Sequence, residues 1–335
     1  MDPENITAQL STEDAMYWNN HTMLFKPVFN MIISPIIMIV SIIGLTGNSL
    51  VVWYLCFKIK RNTSTIYILN LAMADAGFLL SVFILTVLEM VFGLMPQNHF
   101  EDVHFIGTIH ALHLSCIFGY TTSLCLLTAI SIERCLSVLY PMWYHCKRPP
   151  HLSSVICTFI WITSCVISVL ELAFCYNVTY NRKGLVEESS KECKVVFIII
   201  CCFSFVIFIP FMIVSSLILL IKVGARFQQR QYKKLYVVIT VTVVVFLAFG
   251  MPMRILILAW YKHHIMPPFP MMDIFSVFCS LNSTINPFVY YLVGRQGSHG
   301  GEVTLLTILQ AVFRDEGTSC KREQRKTIAE NETAI

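Results

Sequence analysis

The sequence predicts an all-α protein, a bundle of seven membrane-spanning helices, and three observations carry that prediction. The 335-residue chain is 56% apolar and 13% charged, with a mean hydropathy of +0.67; a soluble domain carries about 25% charged residues. Seven stretches stay mainly apolar for about 20 residues or more, the length a helix needs to cross the hydrocarbon core. Basic residues gather in alternate connections between those stretches.

The stretches run over 28–57, 65–92, 103–139, 152–175, 195–221, 235–260 and 274–293. Each must satisfy its own backbone hydrogen bonds in lipid, so each reads as a helix. The first follows a polar, partly acidic tail with no basic n-region, so it is expected to act as an uncleaved signal anchor. The second carries Asp75 and the third ends at Glu133 and Arg134. The fourth follows the break "KRPP", and the last three each contain a proline: Pro210, Pro252 and Pro287. An internal proline removes a backbone hydrogen bond and kinks its helix, so the second half of the bundle is expected to hold the hinges.

Lys and Arg set the orientation. "KIKRNTST" follows the first stretch, Lys147 and Arg148 follow the third, and "KVGARFQQRQYKK" follows the fifth. The connection "MPQNHFEDVH" has no Lys or Arg. The N-terminus is therefore expected outside and the C-terminus in the cytosol. The glycosylation sequons at Asn5, Asn20 and Asn177 fall on the outside by this reading, whereas those at Asn62, Asn282 and Asn331 fall in the cytosol or membrane. Cys175 and Cys193 flank an outer loop; a disulfide there would tether the fourth and fifth helices, the alternative being two free thiols.

Ionisable residues inside a span are costly and point to function. Asp75 lies ~15 Å deep by helical rise, at mid-bilayer. Asn48, Ser123, Asn282, Ser283 and Asn286 offer it polar partners. Such a set suits a small hard cation such as Na⁺, or a hydrogen-bonded carboxyl that ties helices together. Glu133 and Arg134 read either as an interfacial pair or as a latch, with Arg134 held by Glu133 in one state and released to a partner in another. Toward the outside, Glu171, Arg254 and Asp273 are the charges a ligand would meet; Arg254 either pairs with Glu171 or waits for an anionic group. His110 and His113, at i and i+3, read as polar lining rather than a metal site. No nucleotide-binding glycine loop, HExxH or GxSxG occurs.

"GN" at 47–48, "LAMAD" at 71–75, "ERC" at 133–135, Trp161, Pro210, "MP" at 251–252 and "NPFVY" at 286–290 stand in the order of a rhodopsin-like G-protein-coupled receptor. "ISIERCLSVLYPMWYHCKRPPHLS" and "KLYVVITVTVVVFL" further resemble the Mas-related receptors. Ile109 stands where most rhodopsin-like receptors carry a disulfide cysteine, Cys175–Cys193 matches the Mas-related substitute, and Gly250 replaces the usual tryptophan. The resemblance implies that Arg134 engages the G protein beside Glu133. It also implies that Asn286, Pro287, Tyr290 and Pro252 take part in activation, and that Asp75, Ser123, Asn282 and Ser283 form a Na⁺ pocket. Glu171 matches an acid that binds cationic ligands in some relatives. Cys116 stands in the ligand-binding position where amine receptors have Asp, which argues against an amine receptor. Lys194 occupies the place of a second acid, so a peptide bearing both charges would suit Glu171 with Arg254.

The expected layout is an extracellular tail over 1–27, a receptor domain over 28–293, and a cytosolic amphipathic helix with a disordered tail over 294–335. In that tail "EVTLLTILQAVF" can lie at the interface, and Cys320 offers a palmitoylation site. The chain is expected at the plasma membrane as a multi-pass glycoprotein. It would bind an extracellular peptide or small charged molecule and activate a heterotrimeric G protein. Arrestin and membrane lipid are further expected partners; nucleic acid is not. It is expected not to be an enzyme, and to need no cofactor beyond an allosteric Na⁺ at Asp75. The alternative, a transporter or channel, lacks an inverted repeat or a charged pore ring, and a retinal sensor would need a lysine within 274–293.

Overall fold

The structure, a computed structural model, describes residues 31–93, 103–140, 142–175, 191–202, 206, 208–225, 230–250, 269–295 and 309. Its helices are α1 (Met31–Phe57), α2 (Thr63–Gly93), α3 (Val103–Leu139), α4 (Leu152–Cys175), α5 (Lys191–Cys202), α6 (Ile209–Ala225), α7 (Arg230–Val245) and α8 (Phe269–Arg295). With α5 and α6 taken together, they follow the seven apolar stretches in order. Among the described residues, α1 to α4 contain the segments long and apolar enough to cross a membrane.

Local chemistry fixes the ends. At the start of α2 the Thr65 amide donates to Asn62 Oδ1 at 2.8 Å, and the Asn62 amide donates to Thr65 Oγ1 at 2.7 Å. This reciprocal cap satisfies amides that the first helical turn leaves open. Asn62, a sequon by spelling, is thus a helix cap. Pro210 is the second residue of α6, and the described residues just ahead of it, 206 and 208, lie in a π-helical turn. A proline lacks the amide that would close such a turn, and wide turns accompany prolines in helices for that reason. Pro287 does lie inside α8. α7 widens into a π turn at Phe246–Gly250, just ahead of Pro252 in sequence, and wide turns of this kind mark bends.

α3 is central: it packs against α2, α4, α6 and α7. The bundle turns apolar side chains outward and small polar ones inward. On α4, Val155, Phe159, Ile162 and Val166 are exposed, while Ser153, Ser164 and Ser168 are buried. Water would oppose that arrangement; lipid permits it, and small inward residues let helices approach closely. The main core cluster lies around Leu124, Leu127, Met212, Val243, Phe246 and Tyr290, and Leu309 joins it from beyond α8.

Two glycines are demanded by such approaches. A Cβ on Gly119 of α3 would lie 2.9 Å from Phe78 Cβ and 3.1 Å from the Ala74 carbonyl of α2. A Cβ on Gly44 of α1 would collide with Thr284 of α8 and Leu79 of α2, whereas one on Gly77 would meet nothing within 4 Å. Gly44→Val should therefore destabilise the bundle by about 3 kcal/mol, the upper end of overpacking costs. Gly77→Val should be tolerated. Surface delivery and detergent melting temperature check this; equal behaviour of the two variants refutes it.

Candidate functional site

Three polar sites lie along α3. The central one is built on Asp75, which is fully buried. Ser123 Oγ and Ser283 Oγ donate to its Oδ1 at 2.8 and 2.9 Å, and Asn286 Nδ2 donates to Oδ2 at 2.7 Å. One carboxylate thus ties α2 to α3 and α8. Asn48 Nδ2 adds α1 by donating to the Ser283 carbonyl at 3.0 Å. Of the predicted pocket, the structure brings Ser123 and Ser283 onto Asp75 directly. Asn286, expected in activation, is also a direct partner. Asn282 is buried, but its Oδ1 has no hydrogen-bond partner, and the same holds for Asn48 Oδ1 and Asn286 Oδ1. A carboxylate among hydroxyls, with buried amide oxygens still able to accept, is the donor chemistry Na⁺ takes.

The site toward the C-terminal end of α3 corrects the sequence reading. Glu133 does not hold Arg134. Its Oε1 accepts from Arg148 Nη2 at 2.7 Å and from Tyr67 Oη at 3.0 Å. Arg134 Nη2 instead donates to Ser64 Oγ, and Arg134 is 1% exposed. The physical reason is rotation: adjacent helical residues point about 100° apart, so Glu133 turns to Arg148 of the α3–α4 connection and Tyr67 within α2, while Arg134 turns to Ser64 at the start of α2. Arg148 is itself positioned. It donates to Ser153 Oγ at 2.8 Å and Thr63 Oγ1 at 3.2 Å, and its guanidinium lies 5.3 Å from the Tyr144 ring centre. Tyr290 is buried nearby, beside a void of about 10 Å³ that Thr242 and Ile130 also line.

The site toward the N-terminal end of α3 is a cavity of about 300 Å³, at the lower end of ligand-pocket volumes. Cys116, Glu171 and Asp273, all predicted ligand contacts, line it together, and Glu89 and His113 join them. Phe78, Val82 and Tyr120 make its apolar wall. Among the described lining residues there are three carboxylates and no Lys or Arg. Sequence reasoning missed Glu89, although a charge in "VLEMVFG" at the end of an apolar run was a usable signal. It also read His113 as lining without placing it at a ligand cavity. His113 Nδ1 lies 2.9 Å from the Ile109 carbonyl.

A structural tie that the sequence did not suggest joins α2 to α4: Trp161 Nε1 donates to Asn70 Oδ1 at 2.8 Å. Arg254, Pro252, Asn5, Asn20, Asn177 and Cys320 lie outside the described residues, as do the side chains of Cys175 and Cys193.

Comparison with known proteins follows the same outline. A family model described as the seven-transmembrane receptor of the rhodopsin family matches residues 47–290. The Proto-oncogene Mas of Mus musculus is 36% identical over 341 residues, spanning 100% of both chains. That of Homo sapiens is 37% identical over 85% of this chain and 84% of its own. The Mas-related G-protein coupled receptor member H of Rattus norvegicus is 40% identical over 85% of this chain and 84% of its own.

Proposed function

The chain belongs to the rhodopsin family of seven-transmembrane receptors, among the Mas-related G-protein-coupled receptors, and on that premise we propose how it signals. It is a multi-pass receptor of the plasma membrane and not an enzyme. An extracellular peptide or small charged molecule enters the outer cavity. A heterotrimeric G protein meets Arg134 on the opposite side. One observation carries this reading: α3 lines the cavity at Cys116, bonds Asp75 through Ser123 and carries the buried Arg134, so a single helix touches all three sites. A shift of α3 is therefore felt at all three sites. Ligand binding need only favour one of two helix arrangements, and about 5.5 kcal/mol of differential affinity moves such an equilibrium from 1:99 to 99:1.

The N-terminal tail faces outside, glycosylated at Asn5, Asn20 and Asn177, and a Cys175–Cys193 disulfide ties the outer ends of α4 and α5. Asp75, Ser123 and Ser283, with Asn282 beside them, hold Na⁺. The ion there would neutralise the buried carboxylate and favour the arrangement that collects these oxygens. Pro252, Pro287, Asn286 and Tyr290 serve the rearrangement, lipid surrounds the bundle, and arrestin is a second cytosolic partner.

The carboxylates of the cavity favour a ligand that carries at least one cation, with Arg254 available for an anionic group. Glu171→Gln should lower the potency of a basic peptide about tenfold or more, since a hydrogen bond to a charged group is worth about 1.5–3 kcal/mol. The test is a peptide-library screen in cells expressing the full chain, with nucleotide exchange on the G protein and ion flux recorded together. Exchange without flux is the expected outcome. Flux without exchange defeats the reading, and activating peptides indifferent to Glu171→Gln defeat the cationic preference.

A further inference from the structure

We infer that Ser64 is a phosphorylation site, and that a phosphate placed there clamps Arg134 and ends signalling. The inference rests on the reading that Arg134 meets the G protein and that this end of the bundle faces the cytosol, where kinases and ATP are found. Ser64 is the second residue of α2, and residues 58–62 ahead of it are non-helical. It is half-buried, while Lys58, Lys60 and Arg61 are exposed. Arg61 stands three residues before Ser64 in "KIKRNTS". Kinases that select basic substrates read cations so placed through charge complementarity. Thr65 does not compete, because it is 2% exposed and committed to the cap with Asn62.

The surroundings suit a phosphate. Ser64 Oγ accepts from Arg134 Nη2, one of the contacts that this arginine makes. One residue earlier, Arg148 Nη1 donates to Thr63 Oγ1 at 3.2 Å. Two guanidiniums thus stand at the first turn of α2, and that turn carries no acidic residue. Glu133 is turned to Arg148 and Tyr67. In the transfer, Ser64 Oγ bonds the γ-phosphorus of ATP, the bond from that phosphorus to its bridging oxygen breaks, ADP leaves, and the hydroxyl proton passes to the kinase's base. The product gains about −1.5 to −2 of charge at pH 7 and three acceptor oxygens. An arginine fork takes such oxygens in pairs, and each charge-assisted bond is about twice as strong as a neutral one. The phosphate therefore tightens the hold on Arg134 whatever else the arginine touches. When Arg134 leaves Ser64 for a partner, the hydroxyl is uncovered, so the active arrangement is the better substrate and the modification returns it to the closed one.

The full chain in nanodiscs tests this, treated with ATP and the catalytic subunits of cyclic-AMP-dependent kinase and protein kinase C. Mass spectrometry should place a phosphate on Ser64 in the wild type and less of it in Arg61→Ala. Treatment should lower ligand-free nucleotide exchange on a purified heterotrimeric G protein about tenfold or more, one charge-assisted hydrogen bond's worth. The exchange rate of Ser64→Ala should not respond to treatment; Ser64→Asn, which keeps an acceptor for Arg134, replaces it should Ser64→Ala fail to fold. Independently of any G protein, treatment should raise the melting temperature of the wild type and not that of Arg134→Gln, which has no charge to meet the phosphate. A phosphate absent from Ser64 or found only on Thr63 or Thr65 would overturn the inference. So would a phosphorylated wild type with unchanged exchange and melting, or an equal fall in Ser64→Ala. Failure of the untreated wild type to drive exchange on any G protein would overturn the receptor reading, and the melting shift would still decide whether the phosphate engages Arg134.

Discussion

Arg134→Gln is expected to silence the receptor while leaving it at the cell surface. Arg134 is 1% exposed near the C-terminal end of α3. A buried guanidinium costs several kcal/mol of desolvation, a cost that packing alone would not select when a neutral side chain could bond Ser64 as well. Gln keeps a donor for Ser64 Oγ and much of the length, so the closed bundle should fold. What it loses is the charged fork that would meet carbonyls or carboxylates of a partner once the helices part. Two such bonds, at about 1.5–3 kcal/mol each, make a fall in exchange of about a hundredfold or more. Arg134→Lys should sit between the two, with charge but no planar fork. Nucleotide exchange at equal surface number checks this. A normal rate from Arg134→Gln removes the cytosolic half of the proposal.

The helices were legible because the bilayer is a severe reader of sequence. It demands long apolar runs and forbids open backbone, so the positions of α1 to α4 follow from hydropathy alone. The level of Asp75 was legible too: a carboxylate too deep to reach water must find polar side chains at its own depth, and Ser123 and Ser283 were among those available. The partner of Glu133 was not legible. Chain proximity suggested Arg134, but the closing contacts come from Tyr67 and Arg148, and nothing local reveals which way a connecting segment folds back. Arg148 entered the sequence reading only as a topology charge. Glu89 was passed over because it stands at the very end of its run, where a charge costs little.

Replacing Asp75 separates its two properties, charge and hydrogen bonding. Asp75→Ala strands three donors, Ser123 Oγ, Ser283 Oγ and Asn286 Nδ2, in the buried core. An unsatisfied buried group costs about 1–3 kcal/mol. The two serines can turn back to carbonyls of their own helices, so the loss should be about 3 kcal/mol rather than the full sum. It should show as a lower melting temperature and poorer delivery. Asp75→Asn behaves differently. Its carbonyl can still accept from both serines, and its amide can donate to Asn286 Oδ1, now without a partner, once the Asn286 amide turns over. This variant should fold nearly as well as the wild type. It has no charge to hold Na⁺, and a ligand stabilises a fold only in proportion to its binding. Replacing choline chloride with sodium chloride at equal ionic strength should therefore raise the melting temperature of the wild type and leave that of Asp75→Asn where it was. An equal rise in both proteins would mean that the carboxylate is a helix tie and that Na⁺ acts elsewhere.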